Sequence, residues 1–217
     1  MHNSIFFLML LLTISFLTHA QPKAGNGASR TSANLRVGMS SYLIYPGATA
    51  GVELPVKSVH LTRTRSREEP ITILKERFVF AGLGWYHHPR FHDNLYVTGG
   101  WIRRRKRPGG FFTELSPGIG YCRTFLGGTT YRVSGQGEVS RQKRAGHSYA
   151  LLTVSGGLGY DFSRRKNTPL SVCATVNLLA LLPYNGSVYL RPVMQAGLIY
   201  QPAHFLSIKP ISKSVAR

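Results

Sequence analysis

From about residue 48 to residue 201 the chain repeats one local pattern, apolar residues alternating with small or polar ones, in runs bounded by Gly, Pro, Asn or charged clusters. No other feature constrains the fold as tightly, because period two belongs to a β-strand whose two faces meet different surroundings. Eight such runs occur, at about 48–57, 75–86, 94–104, 110–123, 129–140, 147–162, 169–182 and 187–201. Each is long enough to cross a bilayer, where a tilted strand needs about 9–11 residues. No amphipathic helix of convincing length is found among them.

The fourth run puts Phe111, Thr113, Leu115, Pro117, Ile119 and Tyr121 on one face, and Phe112, Glu114, Ser116, Gly118, Gly120 and Cys122 on the other. The seventh sets Leu170, Val172, Ala174, Val176 and Leu178 against Ser171, Cys173, Thr175 and Asn177. The fifth is the weakest, because Gly135 and Gly137 interrupt its apolar face. Alternation alone fits a soluble barrel with its apolar face inward, or a membrane barrel with that face toward lipid. The polar faces favour the second. Solvated faces would normally carry many Lys and Glu, whereas these are mostly Gly, Ser, Thr, Asn, Gln and Cys. Their few charges are of both signs, Glu53, Glu114 and Asp161 with Arg132 and Arg191. Compensating charges suit the crowded interior of a narrow barrel, where an unpaired charge is costly.

The rest of the chain bears on location. "MHNSIFFLMLLLTISFLTHA" is an apolar run ending in Thr18-His19-Ala20, which predicts a cleaved secretory signal at 1–20. Residues 21–46 are a flexible lead-in, or hold an additional strand in "LRVGMSSYLIYPG" at 35–47. The barrel occupies 47–201 and a basic tail 202–217. The formal net charge of +19 predicts attraction to a polyanion. Export makes nucleic acid an unsuitable one. Cys122 and Cys173 could pair in an exported protein, but lone cysteines on small-residue strand faces are more often small hydrophobes.

Taken together, the exported chain, the even number of amphipathic strands, and strands such as "SPGIGYCRTF", "SGGLGYDF" and "MQAGLIYQP" resemble small bacterial outer-membrane β-barrel proteins of the OmpA-domain and OmpX type. The resemblance covers about 47–201. It implies an all-β, antiparallel up-and-down transmembrane β-barrel of about eight strands, placed in a bacterial outer membrane by the outer-membrane assembly machinery. One departure is the basic tail after Phe205, which would leave an aromatic assembly signal internal, at Tyr200 or Phe205.

With eight strands and both termini in the periplasm, the connections at about 58–74, 103–109, 141–146 and 183–186 face outward. Three are basic: Arg63, Arg65 and Arg67; Arg103, Arg104, Arg105, Lys106 and Arg107; and Arg141, Lys143 and Arg144. The run 103–107 is the candidate contact for outer-membrane lipid and anionic glycolipid, whose phosphates Arg grips through two hydrogen bonds. Glu53, Glu114, Arg132, Asp161 and Arg191 are the candidate interior network. Aromatic residues are expected in two girdles, Trp85, Tyr86, Tyr96, Tyr121, Phe125, Tyr131, Tyr160, Phe162 and Tyr200 at one set of strand ends, and Trp101, Phe111, Tyr149, Tyr184 and Tyr189 at the other.

No metal or cofactor is expected. His87, His88 and His92 suit zinc in number, but adjacent strand residues point to opposite faces. "SGQGE" and "SGGLG" lack the Lys and strand-to-helix context of a phosphate loop and fit hairpin or inner-face glycines. A barrel deacylase would be expected to carry a His-x-Ser pair with a nearby Glu, and the closest match is the adjacent pair His147-Ser148. An omptin-like protease would need clustered acids, where only Glu68 and Glu69 stand in the outward connections. A structural or surface-interaction role is therefore expected. The alternatives are a lipid-modifying barrel enzyme and a soluble exported barrel carrying a hydrophobic ligand.

Overall fold

Seven of the eight alternating runs turn their apolar side outward and their small or charged side into the molecule. The structure is a computed structural model describing residues 31–42, 45–65, 68–89, 91–142, 145–163, 168–184, 186–202, 206, 208 and 211–216. Its strands are β1 (Asn34–Tyr42), β2 (Tyr45–Arg65), β3 (Glu68–His88), β4 (His92–Lys106), β5 (Phe111–Leu126), β6 (Thr130–Val133), β7 (Val139–Gln142), β8 (Gly146–Asp161), β9 (Leu170–Tyr184), β10 (Ser187–Tyr200) and β11 (Ile211–Ala216). The main sheet runs β1-β10-β9-β8-β5-β4-β3-β2-β11, and pairing of β1 with β2 closes eight of its strands into an antiparallel up-and-down barrel. Closure leaves no free edge around the ring, which satisfies the backbone without water.

β5 illustrates the two faces. Ile119 is 67% exposed, while Phe112 and Cys122 on the opposite side are 2% exposed. The same holds for β9 and β10, where Val176 and Met194 face out and Cys173, Thr175 and Arg191 face in. Inner-face glycines make room for large neighbours: a Cβ on Gly159 would collide with the Phe112 ring. Cys122 and Cys173 are both free and buried.

The set of barrel strands differs from the expected set by one exchange. Residues 34–42 form β1, which pairs with β10 at Leu35↔Tyr200 and with β2 at Leu35↔Val52. Residues 130–142, expected as a spanning strand, fold back on themselves as the β6–β7 hairpin. Gly137, at φ 84°, and the bond from Ser134 N to the Glu138 carbonyl make the turn in the middle of that run. The two glycines that weakened the pattern are a hairpin tip.

This exchange changes which end each connection occupies. Thr31 and Ile208, bridged to each other, lie at the end that also carries connections 66–67, 107–110 and 162–169. The opposite end carries 43–44, 89–91, the long 127–145 segment and 185–186. The girdles are regrouped accordingly. Tyr160, Phe162 and Tyr200 lie with Phe111 and Trp101 at the termini end, where the Phe111 and Tyr160 ring centroids are 5.2 Å apart. Tyr149, Tyr184 and Tyr189 lie with Trp85, Tyr121 and Phe125 at the other. Tyr86 is buried in the interior against Arg191, and Tyr96 packs on the interior cluster of Cys122, Leu151, Leu179, Leu181 and Val193.

β2 and β3 pair well beyond the end of β4, as far as Arg65↔Glu68, and β11 lies parallel to the projecting part of β2. The expected signal at 1–20 and the lead-in as far as residue 30 lie outside the described residues, as do Arg67, Lys143, Arg144 and Phe205. So do the side chains of Arg63, Arg65, Glu68 and Glu69.

Candidate functional site

The run Arg103–Arg107 belongs to the last turn-ward residues of β4 and the tight turn that follows. Gly110 at φ 95° closes this turn, with Arg107 N bonded to the Phe111 carbonyl at 2.7 Å. Because alternation continues through the run, its side chains separate. Arg104 and Lys106 point inward with Ile102, while Arg103, Arg105 and Arg107 are exposed. This corrects the expectation that all five stand together in an outward connection as lipid contacts: Arg104 and Lys106 are buried inside the barrel. The signal was present in the sequence, since residues 102, 104 and 106 share the parity of the inner face.

Arg104, 2% exposed, is the hub of an interior ion-pair cluster. Its Nη2 lies 2.9 Å from Glu53 Oε2 and 2.8 Å from Glu114 Oε2, and its Nε donates to the same Glu114 oxygen at 3.1 Å. The guanidinium sits between the Phe78 and Phe112 rings, 5.0 Å and 5.1 Å from their centroids. Arg36 on β1 completes the cluster, pairing with Glu53 at 3.3 Å and with Glu114. Asn34 Nδ2 donates to Glu53 Oε2 at 2.8 Å. Nearer the termini end, Lys106 Nζ lies 3.3 Å from Glu76 Oε2 and 3.0 Å from Asp161 Oδ2, and Thr31 donates to Glu76 at 3.1 Å.

Glu53, Glu114 and Asp161 are thus brought together with Arg36, Arg104, Lys106 and Glu76, none of which was expected inside. Arg191 also faces inward, but it stands apart over the Tyr86 ring at 4.8 Å. Arg132 does not face inward: it lies exposed on β6, because β6 never enters the ring. A cavity of about 100 Å³ adjoins the cluster, walled by Thr49, Thr98, Thr153, Thr175, Asn177 and Gln195. Ion pairs spanning β1, β2, β4 and β5 lock the wall from within and obstruct the lumen.

The outward half of the run meets other cations. Arg103 stands opposite Arg77, and Arg77 opposite Lys57; Arg105 stands opposite Lys75. All five are exposed.

At the other end, His87 Nδ1 lies 2.7 Å from Asp93 Oδ1, and the His88 and His92 rings face each other with centroids 5.0 Å apart. His87↔Asp93 and His88↔His92 are successive cross-strand pairs and therefore point to opposite faces. Among the described residues no three potential ligands converge on a metal site. Ser148 accepts hydrogen bonds from Tyr121 and Arg123, both at 2.7 Å.

These features define a closed eight-stranded barrel with an apolar outer face and an ion-paired interior. No protein-family model matches the chain, and no curated protein does. Solved structures similar to it include the N-terminal β-barrel domain of Pseudomonas aeruginosa OprF, at 11% identity over 79% of this chain and 98% of that one, with a TM-score of 0.42. Neisserial surface protein A is similar at 11% identity over 81% and 99%, TM-score 0.42. The outer membrane enzyme PagL is similar at 11% identity over 77% and 96%, TM-score 0.37.

Proposed function

We propose that this protein is a bacterial outer-membrane β-barrel with a structural or surface-interaction role. The observation that carries this reading is the outward apolar band. Met39, Val52, Leu83, Val97, Ile119, Leu158, Val176 and Met194 stand exposed on the eight successive ring strands. Soluble monomers rarely expose contiguous apolar patches beyond a few hundred Å², whereas lipid requires such a band. A charged interior also makes a poor container for a hydrophobic ligand. The ion-paired lumen favours a scaffold over a wide pore.

With the termini in the periplasm, the 127–145 connection lies outside the cell. Long extracellular loops and short periplasmic turns are the usual asymmetry of such barrels. The outer surface then presents the β6–β7 hairpin, with Tyr131, Val133 and Val139 exposed beside Arg132 and Arg141. Contact with anionic glycolipid accordingly moves from the 103–107 run to Arg132 and Arg141. Cell fractionation combined with gel mobility before and after boiling tests the membrane reading. A heat-modifiable band in outer membranes is expected. A soluble protein of unchanged mobility would refute it.

A further inference from the structure

The outward cations of β2, β3 and β4 begin where the apolar rows stop. On β3 the outward row reads Trp85, Leu83, Ala81 and Val79, then Arg77 and Lys75, with Ile73 and Ile71 following on the projecting part of the strand. On β4 it reads Leu95, Val97 and Trp101, with the small Gly99 between, then Arg103 and Arg105. On β2 Val52, Leu54 and Val56 precede Lys57. Three adjacent strands therefore change from apolar to basic at one level, and cross-strand pairing sets Lys57 opposite Arg77, Arg77 opposite Arg103, and Lys75 opposite Arg105.

Like charges directly opposite each other destabilise a sheet. Six of the eight acids lie elsewhere, and the side chains of the other two, Glu68 and Glu69 at the start of β3, are outside the described residues. Glu53, Glu76, Glu114 and Asp161 are buried in the interior, Asp93 pairs with His87 at the far end, and Glu138 is in the β6–β7 turn. Among the described residues no carboxylate stands on this outer face. No described carboxylate is placed to neutralise these cations, which leaves the face open to an anion from outside the chain. The face also lies at an interfacial level, because Trp101 is 64% exposed just above it and Phe111 60% exposed on the next strand.

We propose that Lys57, Lys75, Arg77, Arg103 and Arg105 form a docking face for the phosphates of anionic phospholipids in the leaflet at the termini end. The inference rests on the membrane reading above and adds a lipid class and a leaflet to it. The arginine forks can engage phosphate oxygens with two hydrogen bonds, and the lysines add point charge.

The chain's two tryptophans, Trp85 and Trp101, allow a direct test, since they face outward at opposite ends of the band. The full chain carrying Trp85→Phe, which leaves Trp101 as the reporter, is refolded into vesicles of phosphatidylcholine mixed with phosphatidylglycerol, with either lipid brominated. Brominated phosphatidylglycerol should quench Trp101 more strongly than brominated phosphatidylcholine, and high salt should remove the difference. The partner variant Trp101→Phe, reporting from Trp85, should show a smaller preference, and one that the Gln replacements described next leave unchanged. Replacing Lys75, Arg77, Arg103 and Arg105 with Gln should abolish the preference, each single replacement weakening relative lipid affinity about fivefold at low salt. Free inorganic phosphate at equal ionic strength should not compete. Equal quenching by the two lipids in a folded, heat-modifiable barrel overturns the docking face alone. Competition by inorganic phosphate marks a phosphate site that is not a lipid face and overturns it too. Failure to insert into any vesicle overturns the membrane reading together with this inference.

Discussion

Arg104 and Arg105 are chain neighbours of the same charge class with opposite surroundings. Arg104 is enclosed by Glu53, Glu114 and two aromatic rings, whereas Arg105 stands on the outer wall opposite Lys75. The difference arises from the strand's two-residue period, and it teaches that one basic run does two jobs. Its inner half neutralises carboxylates that the narrow lumen could not otherwise hold. Its outer half keeps its charge at the edge of the apolar band. The interior takes Glu53, Glu76, Glu114 and Asp161 out of only eight acidic residues in the chain, which is why the outer cations have so few partners.

The contrast can be broken most sharply from inside. Glu114→Ala leaves Arg36 and Arg104 sharing Glu53, and should lower barrel stability by about 3–5 kcal/mol in urea titrations followed by gel mobility. A charge placed outside but higher on the wall tests whether height on the wall decides tolerance. Ile119→Arg, in the middle of the exposed row of β5, should cost about 2–4 kcal/mol in the same assay. Lys106→Met leaves Glu76 and Asp161 without their shared cation, though Thr31 and Ser163 still donate to them. A loss of about 1–3 kcal/mol is expected there. The smallest stability effect belongs to the outer half. Arg103→Gln and Arg105→Gln should each change stability by no more than about 0.5 kcal/mol. Salt should separate the two halves as well, screening the exposed cations strongly and the enclosed pairs weakly. Equal costs for Glu114→Ala and Arg105→Gln would abolish the distinction.

Much of the architecture was legible because alternation is local. The two faces of β5, β8, β9 and β10 follow from counting residues in twos, and the parity that puts Phe112 and Glu114 together also puts Ile102, Arg104 and Lys106 together. The run was assigned whole to an outward connection because five consecutive charges suggest an exposed loop more readily than a lumen. Arg36 was overlooked because it lies in the segment first assigned to a lead-in or an additional strand. The 130–142 segment was misplaced because a strand that crosses and a hairpin that returns share the same alternation. A turn at Ser134–Gly137 distinguishes them, and it reverses the direction of the chain before β8.

The sequence by itself determined that this chain builds amphipathic strands, and that acids such as Glu114 fall on the face opposite the apolar row. Strand period and side-chain chemistry are properties of a few consecutive residues. Only the tertiary structure decided which segment closes the ring, at which end the basic run lies, and which cation meets which carboxylate. Arg36 reaches Glu114 across a separation of 78 residues. Such a pairing depends on the register and closure of all eight strands, which no local stretch encodes.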